Sequence, residues 1–175
     1  MIFVENFVKI LKKNKVDFFT GVPDSILKNL SLYLENFSIK KHIIAANEGA
    51  AVSVGIGYYL SRKKIPCVYF QNSGLGNAIN PLISIAHKEV YSIPLLLIIG
   101  WRGSPNQPDE PQHKAKGKIT KNLLQLLKVK HCVLKSEKDL LKLKNLIKIS
   151  YREKRIVACL IEKNSLKIKK VKKKN

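Results

Sequence analysis

Four short segments of this sequence combine polar side chains with glycine or proline. They are residues 21–25 (Gly-Val-Pro-Asp-Ser), 47–49 (Asn-Glu-Gly), 71–77 (Gln-Asn-Ser-Gly-Leu-Gly-Asn) and 101–117. The second segment holds one carboxylate, Glu48, which suits either proton transfer or a helix N-terminus that is stabilised by negative charge. The third is a glycine-rich turn that can bind phosphate, although it lacks the third glycine of the dinucleotide fingerprint and the Gly-Lys-Ser/Thr of a P-loop. Taken alone, Glu48 is better interpreted as a structural residue.

The apolar residues between these segments alternate between helical and strand-like spacing. Helices are expected at about residues 3–11, 26–34, 48–62, 82–86, 120–127 and 137–152, and strands at about 16–20, 41–45, 65–70, 95–99, 131–134 and 156–161. This alternation predicts an α/β fold, with a single doubly wound, mostly parallel sheet of about six strands and helices on both faces. Ligands bind beyond the carboxyl ends of such strands, where all four segments lie.

Three local features can be predicted within this scheme. Asp24 or Ser25 is expected to cap the second helix. Pro81 is expected in the first turn of the fourth helix, either directly after an N-cap at Asn80 or in a turn that starts earlier. Residues 101–118 are expected to form a long polar loop, and loops of that length are often functional.

The formal net charge of +21 is concentrated toward the C-terminus. Residues 112–175 hold 21 Lys and Arg against 4 Asp and Glu. A polybasic segment can bind nucleic acid, but no aromatic residues are interleaved with the terminal lysines and no nucleic-acid-binding motif accompanies them. We therefore interpret the charge as compositional bias, and we expect a domain over residues 1–163 and a disordered or frayed basic tail over 164–175.

The composition is that of a globular protein, with 45% hydrophobic and 26% charged residues. The longest aliphatic run, residues 94–100, is too short to span a bilayer, and the N-terminus does not resemble a secretory signal. The sequence has three cysteines, an odd number, and they are widely spaced, without a disulfide or metal pattern: Cys67, Cys132 and Cys159. They are expected to be buried thiols in a reducing compartment, which predicts a cytoplasmic location.

The combination of motifs is more specific than any one of them. The Gly-Val-Pro turn, Asn-Glu-Gly-Ala at residues 47–50 and Asn-Ser-Gly-Leu-Gly-Asn at 72–77 together resemble the pyrimidine-binding domain of thiamine-diphosphate enzymes. Ile-Gly-Trp-Arg-Gly at 99–103 and Asp-Glu-Pro-Gln-His at 109–113 resemble phosphonopyruvate decarboxylase in particular. The sulfopyruvate decarboxylase alpha subunit shares the general layout.

This resemblance implies roles for individual residues. Glu48 matches the glutamate that hydrogen-bonds a ring nitrogen of the aminopyrimidine and promotes the proton transfer that activates the cofactor. Ser25 matches a polar active-site position of related decarboxylases, and its neighbour Asp24 is a second candidate. Gln112 and His113 match the place where simple 2-oxo-acid decarboxylases carry active-site histidines, although only His113 is a histidine here.

Further residues are implied to contact the cofactor or the substrate. Asn72, Gly74, Leu75 and Gly76 match the loop that lines the pyrimidine side of thiamine diphosphate. Arg102 either caps the sheet edge or faces an anionic substrate or a partner subunit. The other histidines of the sequence, which flank apolar runs, are interpreted as structural or surface residues: His42, His87 and His131.

A complete enzyme of this family also has a diphosphate-binding domain with a Gly-Asp-Gly motif that holds Mg²⁺. The sequence contains no such motif and no acidic cluster suited to Mg²⁺. The resemblance therefore implies a hetero-oligomer in which a separately encoded diphosphate-binding beta subunit supplies most of the Mg²⁺ site, unless that half is a missing C-terminal domain.

The implied activity is that of a carboxy-lyase that decarboxylates a small anionic 2-oxo acid, 3-phosphonopyruvate or 3-sulfopyruvate. Two alternatives from other classes stay open at this point. One is a non-catalytic α/β module that binds a nucleotide or phosphate at the turn over residues 74–77, and the other is a basic nucleic-acid-binding protein.

Overall fold

The computed structural model describes residues 1–105 and 107–169. The strands of its main sheet are β2 (Phe19–Gly21), β3 (His42–Ile44), β4 (Cys67–Gln71), β5 (Leu96–Trp101), β6 (Lys130–Leu134) and β7 (Val157–Glu162). They are all parallel and lie in the order β3-β2-β4-β5-β7-β6. A separate parallel pair joins β1 (Ile2–Phe3) to β8 (Leu166–Lys167). The predicted parallel sheet of about six strands is confirmed.

The α-helices of the described residues are α1 (Val4–Lys13), α2 (Lys28–Leu34), α3 (Glu48–Arg62), α4 (Leu75–Pro81), α5 (Pro111–Leu126) and α6 (Leu140–Glu153). One hydrophobic cluster packs α1, α2 and α6 against one face of the sheet, and a second packs α3, α4 and α5 against the other. Successive β5 residues alternate between the clusters: Leu96 belongs to the first and Leu97 to the second. Burial on both faces explains why the first four residues of β5 are all aliphatic.

The order of the strands places a topological switch point at the carboxyl end of β2, where a ligand-binding crevice is expected. The chain runs from β2 to β3 on one side and then to β4 on the other, so its direction of progression reverses between β2 and β4. Ligand-binding crevices of open α/β sheets form at such a switch point. Gly21 ends β2 here, and an added Cβ would lie 2.1 Å from the carbonyl oxygen of Tyr69 on β4. Only glycine permits this close approach at the mouth of the crevice.

Two local expectations about helix starts were wrong. Helix α5 begins at Pro111, well before residue 120, so the polar loop after β5 is shorter than predicted. Pro111 occupies the first turn, where its fixed φ and missing N–H are tolerated, but the polar sequence of that turn lacks apolar periodicity. Pro81 lies at the end of α4, ahead of a π-helical turn at Leu82–Ala86, because the chain becomes helical directly after β4.

The C-terminal segment also differs from the expectation. Strand β8 lies beyond the predicted domain end at residue 163, and Leu166 is 3% exposed within the first cluster. Asn29 Nδ2 donates a hydrogen bond to the Leu166 carbonyl oxygen at 2.9 Å. The expectation of a disordered or frayed end was therefore wrong for residues 164–169, whereas residues 170–175 lie outside the described residues.

Two of the three cysteines and His42 are buried, as the apolar runs around them predict, whereas Cys132 is not fully buried. Cys67 and Cys159 are buried free thiols, and burial raises the pKa of Cys67. Cys132 is only partly buried, and its Sγ lies 3.7 Å from that of Cys159 in the neighbouring strand. His42 Nε2 lies 2.8 Å from the Tyr69 hydroxyl in the core.

No helix in the described part of the chain is long and apolar enough to cross a membrane.

Candidate functional site

Glu48 is the first residue of α3, at the carboxyl edge of the sheet. The preceding Asn47 caps the helix, because its side chain accepts a hydrogen bond from the Ala50 amide at 2.8 Å. Glu48 Oε2 accepts a hydrogen bond from Asn77 Nδ2 at 2.9 Å, and the side chain is half-buried. None of the salt bridges between described residues involves Glu48. Its carboxyl is thus oriented by an amide, and no cationic side chain among the described residues pairs with it.

Glycines in the turn after β4 set the position of this carboxyl. A Cβ added to Gly74 would lie 2.1 Å from both Cδ and Oε1 of Glu48, so the side chain rests directly on the Gly74 backbone. A Cβ added to Gly49 would lie 2.9 Å from the Asn77 carbonyl oxygen. Nothing lies within 4 Å of a Cβ placed on Gly76. Gly74 therefore seats Glu48, whereas Gly76 faces open space.

Asn72 joins this turn to the neighbouring loop. Its Nδ2 donates hydrogen bonds to the Arg102 carbonyl oxygen at 3.0 Å and to Thr120 Oγ1 at 2.9 Å. Its Oδ1 accepts a hydrogen bond from the Arg102 amide at 3.1 Å. The side chain is buried and engaged within the protein, so it positions the end of β5 and α5. The predicted role of Asn72 in lining a cofactor stays a prediction, as does that of the buried Leu75.

The Asp24 side chain packs against Gly100, near the end of β5. Its Oδ1 accepts hydrogen bonds from the amides of Ile26 at 2.6 Å and Leu27 at 3.0 Å, so Asp24, rather than Ser25, caps the turn before α2. A Cβ added to Gly100 would lie 2.9 Å from this oxygen. Oδ2 is buried and has no hydrogen-bond partner among the described residues. Burial raises the pKa of Asp24 against the opposing effect of its backbone hydrogen bonds, which suits a group that exchanges protons.

The loop after β5 is held by an ion pair. Arg102 Nε and Nη2 donate to Asp109 Oδ2 at 2.9 Å and Oδ1 at 2.5 Å, and the Gly103 amide donates to Oδ2 at 2.9 Å. The guanidinium holds the pKa of Asp109 well below its usual range. Arg102 therefore pairs within its own loop, and it also lines a pocket beside Ser25.

His113 lies in the first turn of α5, where this helix meets the loop. A Cβ added to Gly103, whose φ is +65°, would lie 1.9 Å from the His113 carbonyl oxygen, and one added to Gly117 would lie 1.8 Å from the Gly103 carbonyl oxygen. Trp101 Nε1 donates to the Gly117 carbonyl oxygen at 3.0 Å. These contacts fix α5 in place, and His113 Nδ1 is buried with no hydrogen-bond partner in the described part of the chain.

The structure thus brings together Glu48 and the turn around Gly74, and Asn72 links them to the Arg102 loop. Ser25 and Gln112 are exposed at the surface. The sequence did not identify Asn77, although it lies in the same motif, or the pairing of Arg102 with Asp109. Among the described residues no group of three or more His, Cys, Asp or Glu side chains could hold a metal ion.

The fold is that of a parallel α/β domain with Glu48 at the carboxyl edge of its sheet, and comparison with known proteins specifies the family. The family model described as "Thiamine pyrophosphate enzyme, N-terminal TPP binding domain" matches residues 1–131. The chain belongs to this family.

Two relatives illustrate the similarity. The chain is 41% identical over 106 residues to phosphonopyruvate decarboxylase of Streptomyces viridochromogenes, and the matched region covers 61% of this chain and 26% of the relative. It is 34% identical over 139 residues to sulfopyruvate decarboxylase subunit alpha of Methanococcus maripaludis, and this matched region covers 79% of this chain and 81% of the relative. The chain thus spans about a quarter of the first relative and most of the second.

Solved structures share the fold at low sequence identity. A putative thiamin diphosphate-dependent enzyme from Mycobacterium smegmatis superposes with a TM-score of 0.70 and 17% identity over 96% of this chain and 32% of that chain. Benzoylformate decarboxylase from Polynucleobacter necessarius superposes with a TM-score of 0.64 and 20% identity, and the match covers 91% of this chain and 29% of that chain. Both likenesses concern the fold alone.

Proposed function

We propose that this chain is the pyrimidine-binding part of a thiamine-diphosphate-dependent carboxy-lyase. The reaction is the non-oxidative decarboxylation of a small 2-oxo acid with a second anionic group, either 3-phosphonopyruvate or 3-sulfopyruvate. The observation that carries the proposal is the Glu48 carboxyl, seated on Gly74 and held by Asn77 without a cationic partner among the described residues. The relatives with these two activities in their names support the substrate class.

The residues at the crevice fit the aminopyrimidine ring of thiamine diphosphate. A carboxyl can pair with a ring nitrogen, and the open space at Gly76 leaves the turn accessible to a flat ring. Glu48 would hold the ring and exchange a proton with it, while Gly74 keeps the carboxyl in place. When bound, thiamine diphosphate supplies a carbon nucleophile and an electron sink for the loss of carbon dioxide.

Asp24 and His113 are proposed to handle protons on the substrate side. Each has one buried polar atom, Oδ2 of Asp24 and Nδ1 of His113, without a hydrogen-bond partner in the described part of the chain. Because burial raises the pKa of Asp24, this carboxyl retains a proton more readily than an exposed aspartate and can donate it where the carboxylate has left. Ser25 and Gln112 are exposed beside them and are proposed to orient the substrate.

The second half of the active site is proposed to come from a diphosphate-binding partner. The relative from Methanococcus maripaludis is named as an alpha subunit. A separately encoded beta subunit would hold the diphosphate group and Mg²⁺ and would form a hetero-oligomer with this chain. A non-catalytic nucleotide- or phosphate-binding module is not favoured, because the family match is to thiamine-pyrophosphate enzymes.

Reconstitution tests the proposal. The purified chain is mixed with thiamine diphosphate, Mg²⁺ and either 3-phosphonopyruvate or 3-sulfopyruvate, with and without a candidate beta subunit, and aldehyde formation is followed. We expect no turnover by the chain alone and turnover of one of the two substrates with the partner. Full turnover by the isolated, homogeneous chain would contradict the need for a partner.

A further inference from the structure

A pocket of about 440 Å³ opens between the start of α2, the end of β5 and the turn after β7. Three of its lining residues are cationic: Lys28, Arg102 and Lys163. The other described residues that line it are neutral, and none of them carries a carboxylate. Concave surfaces lined by charges of one sign concentrate ions of the opposite sign, so the composition of this pocket favours a small anion.

The pocket is linked to the region around Glu48 through intervening residues. Ser25, which lines it, directly follows Asp24, whose carboxyl lies against Gly100. The backbone of Arg102 is hydrogen-bonded to the side chain of Asn72. Asn72 in turn opens the short 3₁₀ turn Asn72–Gly74 that ends beneath the Glu48 carboxyl. A continuous set of short contacts therefore connects the cationic pocket with the proposed cofactor side of the site.

The cationic residues of the pocket stand on anchored backbone. Asp109 engages Nε and Nη2 of Arg102, which orients the guanidinium and leaves Nη1 outside that pair. The turn that carries Lys163 is held at its far end, because Ile2 donates from its amide to the Ser165 carbonyl oxygen at 2.8 Å. The side chains of Lys28 and Lys163 themselves are exposed and can close on a ligand.

We propose that this pocket binds the phosphonate or sulfonate group of the substrate, with Lys28, Arg102 and Lys163 as specificity-determining residues. The inference rests on the proposed function and names the part of the site that recognises the second anionic group. A tetrahedral oxyanion offers several acceptor oxygens to the ammonium and guanidinium donors. Lys163 lies outside residues 1–131, so this recognition depends partly on a segment that the family match does not include.

Oxyanion binding by the chain without a partner tests the pocket independently of catalysis. Methylphosphonate and methanesulfonate are titrated separately into the full chain, and amide chemical shifts are followed by NMR. We expect saturable binding of at least one of them, with shifts at the pocket residues, and a dissociation constant about tenfold higher in Lys28→Gln and Lys163→Gln, since each variant loses a charge-assisted hydrogen bond. Lys144→Gln, which removes an exposed lysine of α6, is the matched control and should bind like the wild type.

The reconstituted complex provides a second measurement. We expect Lys163→Gln to raise KM for the substrate about tenfold with little change in kcat, because the distal anion is bound equally in the ground state and the transition state. The chain could bind methylphosphonate or methanesulfonate in a way that depends on Lys163 and yet show no turnover with any partner. That result would uphold the pocket and reject the proposed function. Normal turnover with unchanged dissociation constants and KM in Lys163→Gln would overturn the pocket and leave the proposed function intact.

Discussion

Glu48 and Asp109 both lie at the carboxyl edge of the sheet, yet their surroundings differ. Glu48 accepts a hydrogen bond from the neutral amide of Asn77, and no salt bridge between described residues involves it. Asp109 accepts two hydrogen bonds from the Arg102 guanidinium and others from the amides of Gly103 and Glu110. The Asp109 carboxyl is therefore engaged within its own loop, whereas no cationic side chain among the described residues pairs with the Glu48 carboxyl, as its proposed role requires.

The two regions also use glycine for different purposes. Gly74 allows a side chain, the Glu48 carboxyl, to rest against backbone. Gly103 and Gly117 allow two stretches of backbone to touch, which closes the Asp109 loop onto α5. Asn72 connects the two regions through its three hydrogen bonds. The region after β5 is thus joined to the region around Glu48 by hydrogen bonds to a single side chain.

The largest expected effect is the loss of the Glu48 carboxyl. In the reconstituted complex, Glu48→Gln should slow both turnover and deuterium exchange at the thiazolium carbon by about 10²- to 10⁴-fold, the usual contribution of general acid–base catalysis. The fold should be retained, because glutamine can still accept the hydrogen bond from Asn77. Glu35→Gln, which changes an exposed carboxylate of the same type, serves as the control. If Glu48→Gln exchanged the thiazolium proton at the wild-type rate, the proposed difference in role between Glu48 and Asp109 would be wrong.

A pair of glycine substitutions tests how Glu48 is seated. Gly74→Ala places a Cβ 2.1 Å from the Glu48 carboxyl and should lower the free energy of unfolding by about 1 kcal/mol, the low end of the usual cost of overpacking, because the end of the Glu48 side chain can move aside. Gly76→Ala meets nothing within 4 Å and should leave stability unchanged or slightly higher, since alanine favours the helix. Urea denaturation measures both variants. Equal stabilities would show that the Gly74 contact does not constrain the carboxyl.

The smallest expected effect concerns the Arg102–Asp109 pair. Asp109→Asn should lower the Tm by several degrees at neutral pH, because the bidentate pair is lost. Since the folded-state pKa of Asp109 lies below the unfolded value of about 3.9, its stabilisation is fully present above that value and is lost as the pH falls through the folded-state pKa. The difference in Tm between the wild type and Asp109→Asn should therefore shrink as the pH is lowered from about 5 toward 2.

The exposed pair of Lys128 with Glu89 gives the control for that measurement. Glu89→Gln should change the Tm little at any pH, because exposed ion pairs contribute little to stability. If Asp109→Asn and Glu89→Gln behaved alike in thermal unfolding, the Arg102–Asp109 pair would have no special role in ordering the loop.

Some features of the site could be predicted because they are local. Asp24 was expected as a possible cap, and its hydrogen bonds to Ile26 and Leu27 join neighbours in sequence. The first turn of α5 could not be found from apolar periodicity, since Pro111 and the residues after it are polar. Strand β8 was missed for a different reason: its one apolar residue, Leu166, stands in a lysine-rich stretch and pairs with Ile2 at the opposite end of the chain.

The sequence by itself determined the parallel α/β sheet, the glycine-rich turns at its edge and the position of Glu48 after a strand. These features follow from apolar periodicity and turn-forming residues, which act over a few neighbouring positions. Only the tertiary structure decided that Gly74 seats Glu48, that Asn72 binds Arg102, and that Lys28, Arg102 and Lys163 share one pocket. Such contacts join residues that are distant in the chain, and the order and register of the strands bring them together.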